Sequence, residues 1–175
     1  MMSTILLRKD RQSWSSKECS RPQMHLPTAA GRILDKESVT GMKYSIVDGT
    51  EKMNLDEVIR LLGMTYWADK RSALQIEKSM QNSSCYGVRI DDNKKLVGFA
   101  RVISDYATTY YLCDVIIDTA YQHMGLGTAL VSYIESLPEY AGLRGILITR
   151  DAHDLYRKYG YEVLNDRVMV KALNC

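Results

Sequence analysis

Two glycines stand where an apolar, strand-like run gives way to a helical pattern, in the segment QHMGLG at residues 122–127. Gly125 and Gly127 have no Cβ, so they leave neighbouring backbone N–H groups open to a closely approaching group. The first turn of a helix has unpaired N–H donors and the positive end of the helix dipole, and the two together can hold a phosphate or diphosphate. The spacing therefore predicts either a diphosphate site or only a tight strand-to-helix turn.

The better-known nucleotide loops do not fit this segment. The chain contains no GxxxxGK[ST] string, which excludes a P-loop. A dinucleotide fingerprint needs a third glycine where Leu130 stands, and it needs to follow the strand directly, whereas the glycines lie several residues beyond Asp118. Dinucleotide binding is therefore disfavoured.

The histidines and cysteines give no metal-site pattern. His123 and His153 have no further ligand type at metal-binding spacing, so no metal is expected. The cysteines form no CxxC pair, and one of them sits in an apolar strand-like run; they are Cys19, Cys85, Cys113 and Cys175. Four free thiols indicate a reducing, cytoplasmic location.

Length and charge restrict the class of protein further. The 175 residues are 46% hydrophobic and 25% charged, which is typical of one soluble domain with a buried core. A net charge of +2 does not indicate a nucleic-acid partner. The apolar runs are too short for a signal peptide or a membrane span, so no membrane partner is expected. Self-association into a homodimer is left open.

Residues 1–41 differ in composition from the rest. They contain seven Lys and Arg against four Asp and Glu, whereas residues 42–175 contain 16 and 17. Two of the three prolines and many serines lie in this segment, and it shows no sustained strand or helix period. We therefore predict a flexible or loosely attached N-terminal extension over residues 1–41 and one domain over residues 42–175.

The domain divides into alternating strand-like and helical segments. A first strand is predicted at 43–49, a helix capped by Asn54 at 55–65, and a second helix at 72–80. Three strands follow at 85–90, 96–104 and 110–118, with a turn at 91–95 between the first two. A helix at 126–137, a strand at 144–149 and a short helix ending at Gly160 come next. A closing strand pair is predicted at 161–164 and 167–172, across an Asn165–Asp166 turn.

Two blocks of this pattern resemble one protein family. QHMGLG followed by TALVSYIES resembles the Q/R-x-x-G-x-G/A motif of the Gcn5-related N-acetyltransferases, and AHDLYRKYGYEVL resembles their later block with a tyrosine before a GF or GY strand. The likeness covers residues 43–172, and the element order is that of the family. It implies an α/β (mixed α+β) fold, in which a mixed, mostly antiparallel sheet with a splayed central strand is flanked by about four helices.

The resemblance implies acetyl-coenzyme A (acetyl-CoA) as the co-substrate and no metal. In the family, the diphosphate lies on backbone amides of the motif, and the pantetheine arm pairs with the splayed strand like an added strand. The proline that often precedes the motif is absent, and Met124 stands where a basic residue is common. The cofactor residues implied are Val115, Ile116, Ile117, Gln122, His123, Met124, Gly125, Leu126, Gly127 and Thr128.

Catalytic roles are implied in the same way. Tyr156 matches the family tyrosine that acts as the acid toward the leaving thiolate. The glutamate that many relatives use as a base has no counterpart, because Tyr111 occupies its position. Asp114 and Asp105 are the carboxylates available as a base, and Asp114 could equally be a structural carboxylate held by backbone donors or an arginine.

The acceptor pocket of the family is walled by the first two helices and the strands that face them. This implies a pocket for a small polar amine, although Trp67 could equally be a core residue; the candidates are Tyr66, Trp67, Arg71, Arg101 and Tyr110. The predicted activity is direct transfer of an acetyl group to a primary amine through a ternary complex. The alternatives are a non-catalytic acyl-CoA sensor or docking module, and an O-acyl or longer-chain acyltransferase.

Overall fold

The computed structural model describes residues 33–37, 41–165 and 167–171, the first of these segments by its backbone alone. Within them it contains one six-stranded sheet. The strands are β1 (Ile33–Glu37), β2 (Lys43–Asp48), β3 (Ser84–Ile90), β4 (Leu96–Ser104), β5 (Thr109–Ile117) and β6 (Arg144–Ile146). The helices are α1 (Leu55–Leu62), α2 (Ala73–Gln81), α3 (Leu126–Glu135) and α4 (His153–Arg157).

The sheet is mixed, as predicted. Its strands lie in chain order from β1 to β6, and each of the first five pairs with the next in antiparallel fashion. β6 runs parallel to β5 and pairs with it only over residues 109–111. Beyond that point β5 continues for six residues with no described strand on that side. This divergence is the splayed strand that the family resemblance implies, and the fold class is confirmed.

Helices cover both faces of the sheet. α1 and α2 pack on one face, where Val58, Leu61 and Ile76 bury against Phe99 and Ile116. α3 and α4 pack on the other face, where the apolar core includes Leu126, Leu130, Ile134, Tyr156, Leu112 and Ile117. Because alternate residues of a strand face opposite sides, β5 contributes side chains to both cores.

The starts of α1 and α2 follow from local sequence signals. Asn54 caps α1, its side chain accepting a hydrogen bond of 2.8 Å from the N–H of Asp56. Ser72 and Gln75 form a capping box at the start of α2, in which each side chain bonds the other's backbone N–H. Both helix starts were predicted within one residue.

Two predictions of strands need correction. The predicted first strand is preceded by β1, which pairs with β2 over five residue pairs. The sheet therefore begins upstream of Met42, inside the predicted extension, most of which lies outside the described residues. The predicted closing pair at 161–164 and 167–172 is wrong, because its described residues form no strand, and β6 ends at Ile146 instead of residue 149.

The closing segment has strand-forming residues, but its described part pairs with no strand of the sheet. Val163, Leu164, Val168, Met169 and Val170 are all exposed. A strand pair that packs on no sheet or helix is at best marginally stable in water, so β propensity alone does not determine the structure here. Asp166, in the predicted turn, lies outside the described residues.

Candidate functional site

The loop between β5 and α3 has the backbone of an anion-binding turn. His123 and Gly125 both have left-handed backbone, with φ of 62° and 80°. Left-handed residues in a turn bring successive N–H groups to one side, which forms a concave set of donors. Gly125 adopts this conformation without cost, and it is the residue that immediately precedes α3.

The start of α3 differs from the starts of α1 and α2. No side chain caps it, and its first turn contains no acidic residue, whereas α1 has both Asn54 as a cap and two carboxylates in its first turn. The first hydrogen bond of the helix runs from the N–H of Ala129 to the carbonyl of Gly125 at 3.0 Å. The preceding N–H groups and the positive dipole end are therefore available to an anion.

Two side chains fix the loop to the end of β5. Gln122 Nε2 donates to the carbonyl of Ile117 at 3.0 Å. Asp118, which is 3% exposed, accepts from the N–H of Ala120 at 3.1 Å and forms ion pairs with Arg60 at 2.7 Å and Lys95 at 3.1 Å. Burial alone would raise the pKa of Asp118, but its hydrogen bonds to Arg60, Ala120 and Lys95 outweigh burial and lower it.

We predict that Asp118→Asn lowers the free energy of unfolding at pH 7 by about 2 kcal/mol, because it removes charge-assisted hydrogen bonds to Arg60 and Lys95. The folded pKa of Asp118 lies below the unfolded value of about 4, so this stabilisation is complete above that value and is lost as pH falls through the folded pKa. Urea denaturation between pH 7 and pH 3 measures the difference. The exposed Asp154→Asn is the control, and a gap between Asp118→Asn and wild type that does not narrow in acid would contradict the prediction.

β5 contains a β-bulge in its splayed half. The pairing with β4 shifts by one residue between Phe99 opposite Ile116 and Arg101 opposite Cys113. The extra residue lies at Asp114 and Val115, and Asp114 has φ of 55°. Aspartate is among the few side chains that tolerate this left-handed conformation, and bulges commonly re-aim side chains beside functional sites. Sequence reasoning singled out Asp114 but not the bulge.

Asp114 lies between two arginines, and we call this group the Arg–Asp–Arg cluster (Arg71, Asp114 and Arg101). Arg71 Nη1 and Arg101 Nε donate to the same oxygen, Asp114 Oδ2, at 2.8 Å and 2.6 Å. The side chain of Asp114 is 2% exposed, that of Arg101 12% and that of Arg71 30%. Three of the predicted site residues therefore meet here, on the face of the sheet that carries α1 and α2.

An aromatic pair lies in the same loop as Arg71. Tyr66 and Trp67 are 56% and 42% exposed, and their rings meet edge to face with centroids 4.8 Å apart. The buried Thr65 and Ala68 hold the loop on either side, since the N–H of Ala68 donates to Thr65 Oγ1 at 3.2 Å. Trp67 is thus not a core residue. The guanidinium of Arg150, from the segment between β6 and α4, stacks 3.9 Å from the ring centre of Tyr66.

Tyr156 lies in α4, on the opposite face of the sheet from the Arg–Asp–Arg cluster. Its ring packs edge to face with that of Tyr161, and the residue is 7% exposed. Burial, followed by the charge of Asp151, raises the pKa of Tyr156 to about 12. No hydrogen bond of its hydroxyl is seen among the residues that the structure describes. Tyr159, two residues beyond the end of α4, donates from Oη to the carbonyl of Thr128 in the first turn of α3 at 3.2 Å.

Two predicted site residues lie away from this group. Asp105 is in the β4–β5 turn, where its carboxylate accepts from Thr108 Oγ1 and from the N–H groups of Thr108, Thr109 and Ala107. These bonds lower its pKa well below the usual range, that of the Thr108 hydroxyl having the largest effect. The turn is at the far end of β5 from the glycine loop, eight residues or roughly 26 Å along the strand.

Tyr110 is on the α3 face of the sheet, not among the acceptor candidates of the α1 and α2 face. Its hydroxyl donates to Glu135 Oε2 at 2.9 Å. Tyr161 Oη lies 2.9 Å from both Tyr110 Oη and Glu135 Oε1, and its single proton is donated to one of these oxygens at a time. Tyr110 is therefore part of a partly buried tyrosine–glutamate network that joins β5 to α3 and to the segment after α4.

Cys113 is next to the Arg–Asp–Arg cluster. Burial raises the pKa of its thiol to about 12. Arg101 lowers this pKa and Asp114 raises it, both by less than burial does. Such a thiol carries little thiolate at neutral pH and is a weak nucleophile. Among the described residues no three His, Cys, Asp or Glu side chains group as a metal site, and no helix there is long and apolar enough to span a bilayer.

Comparison with known proteins gives consistent matches. Residues 55–161 match the model of the acetyltransferase (GNAT) family. The chain is 29% identical over 135 residues to the uncharacterized N-acetyltransferase ycf52 of Pyropia yezoensis, which covers 74% of this chain and 77% of the relative. It is 32% identical over 79 residues to the histone acetyltransferase TAP1 of Glycine max, which is 44% of this chain and 34% of that protein.

A solved structure gives the same result. The crystal structure of a Xanthomonas campestris pv. campestris protein assigned to the GNAT family superposes with a TM-score of 0.69 and 30% identity. The superposition covers 74% of this chain and 93% of the other. The family match runs from the start of α1 to residue 161, just beyond α4, so it includes the glycine loop, the bulge and Tyr156.

Proposed function

Because the chain belongs to the acetyltransferase (GNAT) family, we propose that it transfers the acetyl group of acetyl-CoA directly to a primary amine of a small acceptor, through a ternary complex. One observation carries this proposal. The uncapped start of α3 follows the same strand, β5, whose outer edge beyond residue 111 has no described strand partner. An uncapped helix start, suited to a diphosphate, and an open strand edge, suited to an extended amide chain, therefore follow one another along the chain.

The chain's own groups fit acetyl-CoA along this path. The N–H groups of the glycine loop and the first turn of α3 bind the diphosphate, and the open edge from Val115 to Ile117 offers main-chain groups to the pantetheine amides. Met124 replaces a common basic residue, but main-chain donors dominate the site. When bound, acetyl-CoA supplies an activated acetyl thioester and a thiolate leaving group.

Tyr156 is the proposed acid. A hydroxyl with a pKa of about 12 stays protonated at neutral pH, so Tyr156 Oη keeps a proton to donate to a developing negative charge. Burial of the ring holds the hydroxyl in place, and a partly desolvated donor stabilises charge more strongly than one in water. This role rests on the match of residues 152–161 to the family block and on the burial and pKa of Tyr156.

Direct transfer is favoured over an acyl-enzyme route. A covalent route needs an activated nucleophile, and Cys113, the thiol beside the bulge, has a pKa raised to about 12. Its Sγ–H donates to the carbonyl of Arg101 at 3.5 Å, and no hydrogen bond from this thiol to a basic side chain is seen among the described residues. The acceptor amine therefore attacks the acetyl carbon itself.

The two candidate bases differ in their surroundings. Asp105 is held by four donors in a turn at the wrong end of β5, which argues against its role as the base. Asp114 lies at the bulge, but its Oδ2 already accepts from Arg71 and Arg101. We propose that Asp114 positions the two arginines and that the proton of the acceptor leaves through water.

A panel experiment tests the proposed activity. The purified chain is titrated with acetyl-CoA in a thermal-shift assay and is then assayed for free thiol release with a panel of small amines, a basic histone-tail peptide and simple alcohols. We expect stabilisation by acetyl-CoA and thiol release with a small amine. Stabilisation with no thiol release for any acceptor would favour the non-catalytic sensor or docking module, and turnover of alcohols alone would favour O-acyl transfer.

A further inference from the structure

The Arg–Asp–Arg cluster has an excess of positive charge. Two guanidinium groups surround one carboxylate, so the formal charge of the three side chains is +1. Asp69 and Lys70, in the same loop as Arg71, are exposed and of opposite sign, so they leave this sign unchanged. A guanidinium group that is partly removed from water loses hydration, and a nearby anion compensates for that loss. The cluster is therefore electrostatically suited to a second anionic group.

The arginines also have donors left over. Each guanidinium has five N–H donors. Arg101 uses only its Nε–H to bind Asp114, and Arg71 uses only one N–H of its Nη1. No further acceptor for either guanidinium is seen among the residues that the structure describes. A planar guanidinium with free terminal N–H groups pairs well with a carboxylate or a phosphate.

The position of the cluster connects it with the acceptor. Asp114 is at the bulge of β5, and Arg71 belongs to the loop that presents Tyr66 and Trp67 to solvent. Tyr111, which occupies the place of the family glutamate, is close enough for its pKa to be affected by Asp114, Arg101 and Arg71, although burial has the largest effect and raises it. The face of the sheet that carries α1 and α2, where the family resemblance implies the acceptor pocket, thus has both arginines and exposed aromatic rings.

From this geometry we propose that the acceptor is an anionic amine, a small molecule that carries a carboxylate or phosphate group near the amine that is acetylated. The proposal rests on the proposed acetyl transfer and names its substrate class. Arg71 and Arg101 bind the anionic group, and Asp114 fixes the positions of both guanidinium groups through its Oδ2.

Matched pairs of acceptors test the proposal. Each α-amino acid is compared with its amide, and O-phosphoethanolamine with ethanolamine, so that the two arms separate carboxylate from phosphate. We expect kcat/KM for the anionic member of at least one pair to exceed that for the neutral member by at least about tenfold. Thermal shifts with CoA-saturated protein give a second readout, in which the anionic member alone stabilises further.

Variants of Arg71, the more exposed of the two arginines, identify the source of the preference. Arg71→Gln is expected to reduce the acid-to-amide ratio of kcat/KM by about tenfold, and Arg71→Lys, which keeps the charge, by less. Arg89→Gln is the matched control, because Arg89 pairs with Glu57 on the same face of the sheet but away from the bulge. Stabilisation of the Arg71 variants by acetyl-CoA should stay as in wild type, which confirms that they are folded.

Several outcomes overturn the proposal. Equal or better turnover of the neutral members, an Arg71→Gln ratio equal to that of wild type, or a preference for the basic histone-tail peptide would each contradict it. It also fails if acetyl-CoA stabilises the chain but no anionic amine is acetylated or shifts the melting temperature. Loss of acetyl-CoA binding by the wild-type chain would instead refute the proposed function itself.

Discussion

Tyr156→Phe is expected to lower kcat for acetyl transfer by about 10²-fold or more, with the affinity for acetyl-CoA unchanged. The substitution removes one oxygen from a ring that is buried against Tyr161, so the packing of α4 stays intact. Since no hydrogen bond of that hydroxyl is seen among the described residues, its loss leaves no protein group there unpaired. Single-turnover thiol release gives the rate, and thermal-shift titration gives the affinity.

Tyr106→Phe is the matched control for this variant. Tyr106 is exposed at the β4–β5 turn, where its hydroxyl contacts Ser84 Oγ at 2.5 Å. Its kcat should equal that of wild type. An unchanged kcat in Tyr156→Phe would remove Tyr156 from the chemistry. The pH profile is a further check, because a pKa of about 12 keeps Tyr156 protonated, so this group causes no loss of activity below about pH 10.

Gly125→Val is expected to weaken acetyl-CoA binding by at least about 100-fold. Gly125 has φ of 80° at the residue before α3, a conformation that a β-branched residue adopts only with strain. Relaxation of that strain would rotate the N–H groups of the loop away from their shared direction. At an acetyl-CoA concentration 100 times the wild-type Kd, the expected stabilisation of wild type is about 2.7 kcal/mol, and the variant should lose most of it.

Gly127→Ala separates the effect of backbone conformation from that of added bulk. Gly127 lies in the helix with an ordinary φ, and a Cβ there would be 3.6 Å from Ile117 Cγ1, an ordinary contact. We expect Gly127→Ala to bind acetyl-CoA nearly as wild type does. Circular dichroism and the melting temperature without ligand show whether both variants are folded. Equal affinity of folded Gly125→Val and wild type would count against this loop as the diphosphate site.

Local signals in the sequence predicted the elements around the site. Asn54 and Ser72 mark the starts of α1 and α2, and the two glycines mark the junction between β5 and α3. Each of these signals acts within a few residues of itself, so a single sequence is enough to read it. The family resemblance added the expected co-substrate and the candidate acid, Tyr156.

Long-range contacts account for what the sequence did not show. Arg71 and Arg101 were predicted near the acceptor, but their shared bond to Asp114 depends on the β4–β5 register and on a bulge that leaves no composition signal. The pairing of Asp118 with Arg60 and Lys95 joins three distant positions in the same way. The resemblance implied Tyr110 as an acceptor residue, but its side chain lies on the α3 face, because neighbouring residues of a strand face opposite sides of the sheet.

β1 has a practical consequence for how the chain is produced. Its backbone occupies the outer hydrogen-bonding side of β2, over five pairs from Ile33 with Val47 to Glu37 with Lys43. A shortened protein that starts at Met42 would leave those β2 groups bare, and a bare strand of this kind is a template for pairing with another molecule. Such a truncation should therefore aggregate more readily than the 175-residue chain, and expression should retain at least residues 33–41.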